Sequence, residues 1–289
     1  MDRRAEFVIL LAFLSVKRFG MEKKMKYLAI YKIGIRQGIE YRVHLWAGLL
    51  ECFVKIMALV LLWTAMFSYS GTDEMYGYSF GGMVLYSVIA RLVLTVAQPT
   101  ISKVLPEDIK SGALSQYLLK PINYFKLRFA EFLGFNTISF FFTYVIGILL
   151  IGCASVYDVL NINLFKFLFF GITLVNSVIL LFLIYGIIGI LGFWFIEVGN
   201  AYRAYQVFIQ IFCGGFIPLS VFGEKIINIM KYTPFLYILN YPIEVLTGNI
   251  AMQELLLNYA IQVCWIGILL ICINKLWERG IKKYVSAGD

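Results

Sequence analysis

Apolar residues in this chain gather into six stretches of roughly 20, near 45–67, 80–100, 129–153, 167–193, 204–222 and 255–274. About 20 helical residues cover the ~30 Å hydrocarbon core of a bilayer, where each backbone polar group must bond within its own segment. The pattern therefore predicts an all-α integral membrane protein with six transmembrane helices. Only 15% of the 289 residues are charged and 61% are apolar, whereas a soluble domain carries roughly 25% charged residues. No hydrophilic segment is long enough to fold alone. Residues 25–289 read as one six-span domain, and 1–24 as a leader or interfacial extension.

The net charge of +8 could suggest nucleic acid, but its distribution excludes that partner. With six spans and an inside N-terminus, 20 of the 25 Lys and Arg residues fall on one side, in 3–42, 103–128, 275–283 and at Arg203. Lys166, Lys225 and Lys231 fall opposite, and Lys55 and Arg91 lie within spans. That asymmetry is the positive-inside bias, and it predicts both termini in the cytoplasm.

Chemistry of its own is scarce. Cys52, Cys153, Cys213, Cys264 and Cys272 are scattered through the spans with no CxxC pair, so they read as packing residues. His44 is the only histidine, so an HExxH zinc site is excluded and no metal site is expected. Neither a GxSxG elbow nor a GxxxxGK[ST] phosphate loop occurs. The expectation is a chain that is not an enzyme and binds no cofactor itself.

Near the N-terminus, Arg3 and Arg4 precede a ten-residue apolar run, Phe7 to Val16, too short to span. Residues 25–43 read as a helix on the inner membrane surface. Leu28, Tyr31, Ile35 and Ile39 form its apolar stripe, flanked by Lys32, Arg36 and Glu40. Ile30 and Ile33 spoil clean amphipathicity and imply protein contact on a second side. Gly34 and Gly38 form a GxxxG that permits close helix approach.

Between spans two and three lies the longest inner loop, with a short helix predicted at about 106–112. Pro106 suits its first turn, Glu107 and Asp108 complement the positive end of its dipole, and Gly112 can end it. Lys120-Pro121 breaks the chain again. An apolar strip, Leu114, Tyr117, Leu118 and Leu119, should dock on something. Gly186, Gly189 and Gly192 in span four form a small-residue ridge for a neighbouring helix. Pro218, Pro234 and Pro242 divide the outer segment 214–249 into short pieces that dip into the outer leaflet. Its aromatics Phe222, Tyr232, Phe235, Tyr237 and Tyr241 suit headgroup depth.

Charges inside the spans need partners or water, since each costs at least ~2.5 kcal/mol at bilayer centre. Glu51 and Lys55 stand at i, i+4 in span one, and Lys55 and Arg91 lie at similar depth. Pairing of Glu51 with Lys55, Arg91 or both is expected. Two readings stand, interhelical glue or snorkelling, and a path lining that meets an anionic substrate. Asn176, Gln206 and Gln210 are further path-lining candidates, but interhelical hydrogen bonds are the favoured reading for them. Glu197 and Arg203 read as solvated.

Three segments carry a family resemblance: YLAIYKIGIRQGIEYR before span one, EDIKSGALSQYLLKPIN in the inner loop, and the run from GFWFIEVGNAYRAYQ to GGFIPLSVFGEKIINIMKYTPFLYILNYPIEVLTG. In this order, over about residues 25–280, the chain resembles the permease subunit of a bacterial type-2 ABC exporter. The resemblance implies a half-transporter in the bacterial plasma membrane that forms the translocation path. A second permease, identical or paralogous, and two separately encoded ABC ATPase subunits holding ATP and Mg would complete it, among membrane lipids. The loop helix would couple to the ATPase through Pro106, Glu107, Asp108, Ile109, Lys110, Ser111, Gly112, Leu114, Tyr117, Leu118, Lys120 and Pro121. A secondary transporter is the alternative, although no internal repeat is seen. A non-transporting scaffold or immunity protein is another.

Overall fold

The computed structural model describes residues 23–96, 98–156, 164–195, 198–247 and 252–286. Most of the 1–24 extension, and Glu197, lie outside the described residues. The helices are α1 Lys23–Glu40, α2 Arg42–Ser70, α3 Phe80–Val96, α4 Ile101–Lys110, α5 Leu114–Leu118, α6 Tyr124–Val156, α7 Leu164–Ile190, α8 Gly199–Phe212, α9 Glu224–Met230, α10 Asn240–Thr247 and α11 Met252–Ser286. Single 3-10 turns follow α7 at Leu191–Phe193 and precede α9 at Leu219–Phe222.

Helix ends follow local chemistry. α2 stops where Gly71 adopts φ 62° and returns its N–H to the Phe67 carbonyl at 3.1 Å. A two-stranded hairpin follows, pairing Glu74 with Ser79 and Met75 with Tyr78. Its turn residues Tyr76 and Gly77 both have positive φ, the geometry that matches strand twist.

Among the described residues four helices are long and apolar enough to cross a membrane: Trp46–Ser70, Tyr124–Gly147, Phe165–Phe193 and Gln253–Tyr284. The expected second and fifth spans are shorter. α3 has 17 residues, and α8 has 14, about 21 Å. α8 ends at Phe212, ten residues before its expected limit, because Gly214 turns the chain at φ 81°. A Cβ at Gly214 would strike the Tyr86 hydroxyl, so the turn and the packing require the same residue.

The core is centred on α7, whose Leu180–Ile184 run is buried and packs against α4, α10 and α11. α3 lies between α2, α6 and α10. α1 runs along α6 in the same chain direction. Gly34 meets Glu131 to Phe135, and Gly38 meets Phe135, where a Cβ would come within 2.5 Å of its carbonyl oxygen. On the other helix a Cβ at Gly134 would run into the Tyr31 carbonyl. Tyr31 also accepts at its hydroxyl from Thr137 Oγ1 at 3.0 Å, and the Asn123 N–H donates to the Tyr27 hydroxyl at 3.1 Å. The packed face of α1 is therefore glycine and tyrosine. Of the apolar stripe read from sequence, Leu28 and Ile39 stay exposed, which leaves them available to lipid.

Candidate functional site

The inner loop folds as two helices held from behind. α4 begins at Ile101, five residues before the expected start, so Pro106 is its sixth residue and not part of its first turn. Two facts make an interior proline tolerable. Its missing N–H would have bonded only the Ser102 carbonyl, in the first turn, and its ring fills a space left by a glycine. A Cβ on Gly192 would lie 3.0 Å from Pro106 Cα, and one on Gly189 would lie 3.0 Å from the Ile101 carbonyl oxygen. The glycine ridge at the end of α7 is thus the groove for α4. Gly186 faces Phe125 and Ile273 instead.

The longer helix also changes the setting of the acids. Asp108 and Glu107 fall in the C-terminal half of α4, where the helix dipole opposes a carboxylate. Asp108 is compensated otherwise, by burial in an ion pair. Arg128 Nη2 donates to Asp108 Oδ2 at 2.5 Å, and the Tyr124 hydroxyl donates to the same oxygen at 2.5 Å. Arg128 Nη1 reaches Glu131 Oε2 at 2.7 Å and its Nε donates to Tyr124 Oη at 3.1 Å. The guanidinium stacks 5.1 Å from the ring centres of both Tyr117 and Tyr124. Burial pushes the Tyr117 phenol above its ordinary value, so it stays neutral beside this cluster. Arg128 thereby joins α4, α5 and α6. Sequence reasoning does not single it out, because there it counts only as one more inner-side cation.

What remains outside is one face. Glu107, Lys110, Ser111, Gly112, Leu118 and Pro121 are exposed, and Ile109 is half-buried. Ser111 Oγ bonds back to the Glu107 carbonyl at 2.7 Å, and Gly112 ends the turn at φ 76°, as a C-terminal glycine should. The apolar strip divides. Leu114 is fully buried, Tyr117 packs edge-on against Tyr124, and Ser115 is bonded to Tyr284 of α11 at 2.9 Å. Lys120 sits 5.6 Å from the Tyr117 ring centre. Leu119 is 88% exposed. Half of the strip docks on its own chain, and the other half faces outward.

Within the spans, Glu51 pairs with Lys55 along α2, on a face open to the surroundings. Arg91 is buried, 5.7 Å from the Phe216 ring centre, and its Nε and Nη2 have no hydrogen-bond partner among the described residues. Asn176 Nδ2 donates to Gln262 Oε1 at 3.3 Å, an interhelical bond between α7 and α11. Gln262, which sequence reasoning missed, also donates to the Thr173 and Tyr237 carbonyls at 3.1 and 3.0 Å. Gln206 bonds Tyr202 Oη at 2.6 Å and Gln98 at 3.3 Å, and Gln210 is half-buried one turn further on. Arg203 is exposed.

At the opposite end the outer segment is a packed plug. Tyr237 and Tyr241 are fully buried within the protein, and Tyr232 is 84% exposed. Asn240 is the centre of this plug. Its Oδ1 accepts from the Tyr86 hydroxyl at 2.9 Å and the Leu219 N–H at 3.3 Å, and its Nδ2 donates to Glu244 at 2.7 Å.

Comparison with known proteins agrees with this architecture. No curated protein matches the chain. The model of a family described as ABC-2 family transporter protein matches residues 53–288, which takes in every helix from the body of α2 to the end of α11. With that coverage, the chain belongs to the ABC-2 family of transporter proteins.

Proposed function

We propose that this multi-pass permease subunit of an ABC transporter serves an ATP-driven exporter of the bacterial plasma membrane, with both termini in the cytoplasm. In this reading it forms half of the translocation path, beside a second copy or a paralogue. ATP and Mg belong to separate ATPase subunits, so the chain is a transporter part and not an enzyme. The observation that carries the reading is the α4–α5 unit. Its inner side is fixed to α7 by glycine contacts, to α6 by a buried ion pair and to α11 by the Ser115–Tyr284 hydrogen bond. Its outer side presents Glu107, Lys110, Ser111, Leu118 and Leu119. A surface held that rigidly transmits a push to the spans without absorbing it. The net positive charge of the same end supports a cytoplasmic placement.

The test uses the two exposed charges only. Glu107→Lys with Lys110→Glu should leave membrane insertion and thermal stability unchanged while ATP-dependent transport falls by about tenfold, equivalent to ~1.4 kcal/mol of coupling. Unchanged transport in that variant refutes the coupling role of this face. Purification of the wild type should bring down an ATP-binding protein in stoichiometric amount. A clean lone permease driven by an ion gradient would refute the ABC assembly.

A further inference from the structure

A cavity of about 80 Å³ opens between α1, α2, α3 and α6. Liquid water takes about 30 Å³ per molecule, so this space holds two or three waters or a glycerol-sized group. Its lining is polar on one side, with Asn136, Ser139 and Thr143 at i, i+3, i+7 on α6 and Thr95 opposite on α3. Polar residues in spans usually bond a neighbouring helix; this row faces a void. Asn136 Nδ2 and Thr95 Oγ1 each donate to their own helix, at 3.0 and 2.8 Å. A hydroxyl that donates still accepts, so the wall offers a mixture of donors and acceptors.

Three features say what would fit. First, among the described residues the lining includes no Lys, Arg, Asp or Glu, so they offer an ionised group no counter-charge. Second, the cavity straddles the start of a span: Gly38 and Tyr41 precede the apolar segment that begins at Trp46, and Gly48 and Leu49 lie within it. On α3 it reaches Thr95, the last residue of the apolar helix Phe80–Thr95, and on α6 it lies within Tyr124–Gly147, so a ligand there would meet both helix ends and apolar span. Third, Gly48 borders the cavity and a Cβ on it would meet nothing within 4 Å. A side chain at that position would have open space to enter, and no packing elsewhere demands a glycine there.

We infer that this cavity binds the uncharged hydroxyl- or amide-bearing head of a single-chain amphiphile, with the chain leaving between α2 and α6 past the exposed Phe142. That the occupant is cargo rests on the permease reading. Its binding does not, because binding requires neither ATP nor a partner.

The experiment titrates the full-length protein, in phosphatidylcholine nanodiscs, with glycerol monooleate, oleate or free glycerol, and follows the thermal midpoint. Glycerol monooleate should raise the midpoint with dose. Its apparent affinity should fall about tenfold or more in Gly48→Leu, which fills the cavity. Ser139→Ala with Thr143→Val should weaken it likewise, and decides the matter if Gly48→Leu fails to fold. Oleate should bind at least about tenfold more weakly than glycerol monooleate. Equal stabilisation by oleate, a full effect of glycerol alone, or unchanged affinity in both variants would overturn the proposal. Transport measured on the same protein separates the two readings: lost binding in the variants with undiminished ATP-coupled transport would overturn the cargo role and leave the site, and absence of ATP-coupled transport in the wild type would overturn the permease reading alone.

Discussion

Arg128 of α6 and Asp108 of α4 lie 2.5 Å apart, with side chains 8% and 6% exposed, at the point where the inner loop meets the spans. A buried pair of this kind is weak evidence of net stability, since desolvation of both charges offsets their attraction. Its value is positional. Breaking it from one side leaves a charge with no partner.

Asp108→Asn alone, or Arg128→Met alone, should therefore destabilise the purified protein by about 3–5 kcal/mol. The two together should recover much of that loss. Thermal unfolding of the two single variants and the double variant measures this, and additive losses would show that the pair is not coupled.

Gly189→Val tests the groove that seats α4. Its Cβ would stand 3.0 Å from the Ile101 carbonyl oxygen, which is backbone and cannot swing away. Displacement of α4 should abolish ATP-dependent transport while the spans still insert. Limited proteolysis at Lys103 and Lys110 should become faster, and an unchanged digestion pattern would contradict the packing.

Gly134→Ala should release α1 from α6, because the added methyl collides with the Tyr31 carbonyl. The expected readout is faster hydrogen exchange in α1 with little change in α7. Equal exchange in both proteins would mean that the helices do not lie in contact.

Asn240→Leu removes an acceptor for Tyr86 and Leu219 and a donor to Glu244 in one step. Leaving buried polar groups unsatisfied should cost about 2–4 kcal/mol in a denaturation titration, and Tyr86→Phe about 1 kcal/mol.

Arg91→Met should keep the fold at least as stable as wild type. The guanidinium is buried with two nitrogens lacking hydrogen-bond partners among the described residues, so replacing it with an apolar side chain removes a desolvation penalty. A large drop in the thermal midpoint would show that the charge holds helices together.

Much of the fold is legible in the amino-acid sequence, and the gaps have physical causes. Apolar runs of span length identify themselves, as α2, α6, α7 and α11 do. α8 misleads because Gly214 turns the chain inside an apolar run, and hydropathy does not see a turn made by a left-handed φ. Propensity alone places Pro106 at a helix start. The deciding contact, Pro106 against Gly192, joins residues 86 positions apart. The glycine ridge and the GxxxG are visible as patterns, but their partners are not. Arg128 hides among inner-side cations, since charge counting cannot tell a solvated cation from a buried one. Tyr237 and Tyr241 have the composition of an interfacial belt, and only the fold around Asn240 places them inside.

α6 is 33 residues long and α11 is 35, about 50 Å each against a hydrocarbon thickness of ~30 Å. In mechanical terms α6 is a crank handle: one unbroken rod, clamped near its base by Arg128 to the segment proposed to receive the push. Swinging it by about 10° around that base would carry its far end through roughly 9 Å. A displacement of that size could open one side of a membrane without any helix unwinding. The same stiffness that makes the chain hard to rearrange locally would make a small movement at one end large at the other.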